Sequence, residues 1–167
     1  MNVKNNNRRK ASVDKIEKAF MRHATSKIKD SEDLFKINSL GFRGEALAAI
    51  SSVSKVRIIS KTDNASSGTM LYADGGEIIE VSDAGCPKGT TITVEELFSN
   101  VPARRKFLKK DMTEASAVCA SVEKIALSHP EIAFKLISDG NVKVETVGDG
   151  KLEHTIYSVM GRDFAKK

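Results

Sequence analysis

The amino-acid sequence predicts an α+β fold in two parts, and three observations carry that prediction. Apolar residues at helical spacing mark Val13–Met21, Gly44–Ser54 and a longer stretch through Ala115, Val118, Val122, Ile125 and Ala126. Short β-rich runs bounded by Gly and Asp lie between them. The order of elements then changes, from helix and four strands to helix, strand, strand, helix, which sets a boundary near Phe98. A chain of 167 residues, 40% hydrophobic, suffices for one sizeable domain or two small ones.

Met1–Lys10 has no apolar period and reads as a disordered basic arm. Ser12 suits a helix cap with Asp14 in the first turn, and Val13, Ile16 and Phe20 share the face that follows. Arg22–Leu40 is a long polar loop, a type that is usually functional or disordered. In the next helix Ala46, Ile50 and Val53, with Leu47 beside them, form the apolar face. Strands are expected at Val56–Ser60, Thr69–Ala73, Glu77–Val81 and Thr90–Val94, with Asp74-Gly75-Gly76 as a hairpin turn. Thr90, Ile92 and Val94 should share one face of the fourth strand.

Pro102 starts a short basic helix through about Lys109. The longer helix ends before Pro130. Ile132–Leu136 and Val142–Val147 form a hairpin around Asp139-Gly140-Asn141, and Leu152–Met160 is a helix capped by Gly161.

The formal charge is +5, but Lys4, Arg8, Arg9 and Lys10 contribute four of those charges. The body is nearly balanced, which excludes a global polycation. One local basic run remains, Arg104, Arg105, Lys106, Lys109 and Lys110. It reads either as a solvated helix face or as a weak, sequence-independent DNA contact. Cys86 and Cys119 match no metal spacing and fit free thiols in a reducing compartment. No apolar run approaches a membrane span and the N-terminus lacks a signal-peptide core. The expectation is a cytoplasmic protein with no membrane partner.

Gly41-Phe42-Arg43-Gly44-Glu45-Ala46-Leu47 stands at a helix start. Two glycines there allow a tight backbone with N–H groups free for a phosphate, although an isolated G-x-x-G is more often a turn and a cap. The motif is accompanied by Arg22-His23-Ala24-Thr25-Ser26-Lys27-Ile28, by Gly89-Thr90-Thr91-Ile92-Thr93-Val94, and by the string from Leu97 through Asn100-Val101-Pro102-Ala103 to Leu108. In this order and spacing the strings resemble the N-terminal region of MutL-type DNA mismatch repair proteins. Those belong to the ATPase superfamily of gyrase B, heat-shock chaperones and histidine kinases. The resemblance runs from about Val13 to the C-terminus.

The resemblance implies an incomplete ATP-binding α/β sandwich over 13–98, with 22–40 as the nucleotide lid. After it, 99–167 would begin a second αβ domain like the family's ribosomal-protein-like transducer domain, and 1–12 is an irregular arm. It implies ATP and Mg2+ as cofactors, with Thr25, Ser26, Lys27, Gly41, Phe42, Arg43, Gly44, Glu45 and Thr90 on the nucleotide. Implied partners are DNA, the mismatch-recognition protein of the same repair system, and a second copy in a homodimer. His23 reads as a structural histidine.

Other expected components are not found. The family's water-activating glutamate and magnesium-binding asparagine lie on a helix upstream of every residue here. Its Asp-x-Gly-x-Gly base-reading turn is matched by Asn6-Asn7-Arg8-Arg9-Lys10, an amide and long cations in place of a carboxylate and glycines. No nucleophile elbow, metal-ligand spacing or catalytic pair replaces them. No catalytic or metal-binding residue is assigned. The sequence thus reads as a piece of a mismatch repair protein, whose family couples ATP binding and hydrolysis to repair. The alternative is a non-catalytic remnant acting as an interaction module.

The 167-residue chain alone is expected to bind ATP weakly and not to turn it over. Without a water-activating carboxylate the general-base contribution of about 10²–10⁴ in rate is lost. Calorimetric titration with ATP and with GTP, plus magnesium, at two salt concentrations checks this. Tight, salt-resistant binding that prefers ATP would overturn it.

Overall fold

A computed structural model describes residues 16–21 and 44–161 of the chain. Contacts divide it into two compact units, Met1–Lys106 and Phe107–Lys167.

The first unit is built on β1 (Lys55–Lys61), in which Val56 and Ile58 point inward and Arg57 outward. β2 (Gly68–Asp74) pairs with one edge of β1, β4 (Gly89–Glu95) with the other, and β3 (Glu77–Ala84) with β2, all antiparallel. The resulting order is β3-β2-β1-β4. Gly75 and Gly76 join β2 to β3 with φ of +58° and +94°, the two left-handed positions that the tightest hairpin turn requires.

Two helices supply cover for one face. Phe20, from the helical residues 16–20 (α1), packs with Val56, Ile58, Leu71 and Ala73, and Ile16, Leu47 and Val81 surround that cluster. Leu47 belongs to α2 (Ala46–Ser51). The opposite face is mixed: the Arg57 guanidinium lies over the Tyr72 ring, 5.8 Å from its centroid. One apolar and one mixed face explain the alternation read in the sequence.

α2 buries a different face from the one its apolar residues suggest. Ala48 and Ser51 are buried, while Ile50 is 40% exposed and Ala46 is exposed. Small residues let the helix approach closely, and the Ser51 hydroxyl donates to the Ala48 carbonyl at 3.1 Å, so no buried polar group is stranded. The helix also stops at Ser51 rather than Ser54: Val53 and Ser54 donate to carbonyls three residues back, a tightening last turn.

The basic helix α3 (Pro102–Arg105) is shorter than expected, ending four residues before Lys109. It buries no residue, so nothing offsets the cost of extending so short a helix. The sequence sets a boundary near Phe98, whereas contacts divide the chain after Lys106. The residues after β4 are tied back to the first unit, since the Phe98 N–H donates to the Val53 carbonyl at 2.7 Å.

In the second unit, α4 (Asp111–Ser128) and α5 (Leu152–Met160) pack with a hairpin of β5 (Lys135–Ser138) and β6 (Asn141–Glu145). Ala126 and Val144 are buried between them, with Thr146 and Thr155. β5 begins at Lys135 and not at Ile132. Before it the chain is still turning: Ile132 donates to the His129 carbonyl, and Thr146 bonds to Phe134 through both its N–H and its hydroxyl. Gly161 caps α5 at φ +80°, as the sequence predicts. The cysteines Cys86 and Cys119 are free.

Leu71 is fully buried at the centre of the first unit. Leu71→Ala should destabilise the chain by about 2–5 kcal/mol, measured by urea unfolding; a loss under about 1 kcal/mol would mean the site collapses around the cavity. In the second unit the Lys151 N–H, and then the His154 ring, hold the Asp149 carboxyl below its usual range. A depressed carboxylate adds stability above its unfolded value, lost as pH falls through the lower folded value. Thermal unfolding from about pH 5 downward should therefore show a loss below about pH 4 that is smaller in Asp149→Asn. Equal slopes would show that the carboxylate contributes nothing.

Candidate functional site

Gly44 turns the chain in the left-handed region, with φ +64°, and Glu45 takes the N-cap of α2. The first turn closes when Ala49 N–H donates to the Glu45 carbonyl at 2.8 Å. No side chain caps this end. With six residues the helix carries little dipole, so what it offers is oriented amide groups. Glu45 and Gly44 are half-buried.

Thr90, the second residue of β4, lies directly opposite Ser60, the two hydroxyls 2.8 Å apart. Sequence reasoning missed Ser60. Register would have found it: once Val94 faces Val56 and Ile92 faces Ile58, Thr90 must face Ser60. Thr90, Ile92 and Val94 share the face onto which Leu47 and Phe20 pack, so α2 and Thr90 belong to the same side of one sheet. At this edge Ile92 is 52% exposed and Val94 44%. Gly89 is left-handed, at φ +128°, and a Cβ built there meets nothing within 4 Å. Backbone conformation, not crowding, is what requires glycine at this position.

Of the other predicted nucleotide residues, Thr25, Ser26, Lys27, Gly41, Phe42 and Arg43 lie outside the described residues, as do His23, the whole of the expected lid and the basic arm. Arg104, Arg105, Lys106, Lys109 and Lys110 are all exposed. The division between units falls inside that run, after Lys106. On the far side the Lys109 N–H donates to Glu114 Oε1 at 2.9 Å, closing the start of α4. Among the described residues no group of three or more His, Cys, Asp or Glu could hold a metal ion, and no helix is long and apolar enough to cross a membrane. Chemically, the described part offers backbone donors and hydroxyls, which suit binding a polyphosphate and a base edge.

No family profile matches the chain. Individual proteins do. The chain is 47% identical over 152 residues to the DNA mismatch repair protein MutL of Agathobacter rectalis, covering 91% of this chain and 24% of that protein. It is 50% identical over 145 residues to MutL of Caldanaerobacter subterraneus subsp. tengcongensis, covering 87% and 25% respectively. Among solved structures, the Aquifex aeolicus MutL ATPase domain complexed with ADP matches with a TM-score of 0.66 and 34% identity, over 79% of this chain and 52% of that one. The chain thus spans about a quarter of the length of the curated relatives it matches. Sequence and fold agree on one assignment: the chain is a member of the MutL family of DNA mismatch repair proteins, spanning part of its ATPase region.

Proposed function

We propose that this chain is the nucleotide-responsive part of a MutL-type mismatch repair protein. The observation that carries the reading is its likeness to an ATPase domain complexed with ADP. In support, the glycine-led start of α2 and the hydroxyl pair of β4 and β1 share one side of a single sheet. In this reading the Gly44 and Glu45 amides, with Arg43 and Lys27, meet the phosphates. Thr90, steadied by Ser60, meets the base side. Thr25 and Ser26 belong to a lid over the nucleotide, with Gly41 and Phe42 in the turn ahead of α2.

Magnesium has no carboxylate cluster to hold it among the described residues, and no step is assigned to it. The reading further takes the protein as cytoplasmic and homodimeric, acting with a mismatch-recognition protein on DNA. Arg104, Arg105, Lys106, Lys109 and Lys110 would supply weak, sequence-independent phosphate contacts.

Two measurements test this. In amide NMR, high concentrations of ADP should shift Gly44, Glu45, Ser60 and Thr90 well ahead of Ala126 and Val144. Shifts scattered evenly over both groups would sink the nucleotide reading. On DNA, replacing Arg104, Arg105 and Lys106 by Ala should reduce the salt slope by up to about 0.9 for each phosphate no longer neutralised. An unchanged slope would make the run a solvated surface.

A further inference from the structure

The C-terminal end of α2 is held in an unusual way. Three successive carbonyls there, those of Ser52, Val53 and Ser54, each accept a hydrogen bond from a segment distant in sequence. The Asn100 side-chain amide donates to Ser52 at 2.9 Å, the Phe98 N–H to Val53 at 2.7 Å, and the Gly75 N–H to Ser54 at 3.3 Å. These three carbonyls belong to the residues that follow Ser51, the last of α2, so the donors pin the chain where it leaves the helix, whose own last carbonyls are met by Ser52, Val53 and Ser54. They come from the β2–β3 turn and from the chain just after β4.

That second donor segment is strained. Glu96 and Phe98 both have left-handed backbones, at φ +54° and +62°, and neither is glycine. Such conformations persist only where surroundings over-determine them. Here the surroundings are visible. Glu96 Oε1 accepts from Lys55 Nζ at 2.8 Å, and that bond holds the lysine charged above its ordinary value. Ser99 N–H closes back onto the Glu96 carbonyl at 3.0 Å, and Val101 N–H onto that of Phe98 at 3.1 Å. The β2–β3 turn is equally constrained. A Cβ at left-handed Gly76 would stand 3.3 Å from Ser52 Cα, and one at Gly75 would stand 3.3 Å from Asn100 Nδ2.

We propose that Glu96–Asn100 is a latch on the C-terminal end of α2, with Asn100 as its positioning residue, so that α2 and the chain leaving β4 move as one piece. α2 follows directly on Gly44–Glu45 and is only six residues long, so a shift at its first turn is carried directly to Ser52–Ser54. The latch then passes that shift to the segment that continues into α3 at Pro102. Its value to the family activity rests on the nucleotide reading of Gly44–Glu45; the mechanical link itself does not, and it is tested without nucleotide.

Native-state hydrogen exchange on the unaltered chain, over a series of low denaturant concentrations, reads the link directly. The amides of Ala49, Ser52 and Phe98 should merge into one opening isotherm below that of Ile58 and Leu71. Separate isotherms, or exchange only through the opening that exposes Ile58 and Leu71, would overturn the proposal. Asn100→Ala should then speed Ala49 and Phe98 together by about tenfold, the loss expected for one hydrogen bond, with Ile58 and Leu71 unchanged. Asn100→Asp, whose carboxylate faces the Ser52 carbonyl without a proton to donate, should do the same at neutral pH and recover below about pH 4. Acceleration at Phe98 with Ala49 unaffected would reduce Asn100 to a local contact and overturn the relay. ADP-induced shifts at Gly44 and Glu45, measured separately, decide the nucleotide reading alone.

Discussion

The first unit depends on β1 being paired along both edges. That double pairing buries Val56 and Ile58 completely or nearly so and fixes which residues of β2 and β4 face the helices. A slip of one residue by β2 would turn Tyr72 into the core and Leu71 and Ala73 out of it. The position of every candidate group follows from that register. Ser60 meets Thr90 because Ile58 meets Ile92, and Leu47 finds its cluster because Leu71 and Ala73 stand opposite Ile58 and Val56.

Strand positions were legible in the sequence because alternation and turn residues are local signals. Asp74-Gly75-Gly76 announced its hairpin, and Asp139-Gly140 another, since left-handed backbone at those sites leaves few residue types. The burial of α2 was not legible. Of its expected apolar face Leu47 does pack on the core cluster, but Ile50 is exposed while Ala48 and Ser51 are buried, and their small size matters only once a neighbouring surface exists. The end of α3 was missed for a related reason: propensity favoured continuing, and only the absence of anything to bury stopped it. Ser60 illustrates the remaining gap. A lone serine carries no signal, and this one becomes informative through a partner thirty residues away.

The candidate site was legible mainly through motif strings, because the physics of a G-x-x-G turn is shared by many proteins without nucleotide. What the structure adds is the sidedness of the sheet and the two groups of donors at either end of α2. The family assignment rests on long agreement with MutL proteins, and that agreement extends into the second unit, where no candidate nucleotide residue was named.

The edge strand β4 has a consequence for the behaviour of the polypeptide in solution. Its inner side chains, Ile92 and Val94, are half exposed, and among the described strands only β1 pairs with it. The strand contains neither lysine nor proline, two residues that commonly discourage a further strand from adding to such an edge. Among the described strands, that edge of the sheet is therefore left open to a further pairing partner.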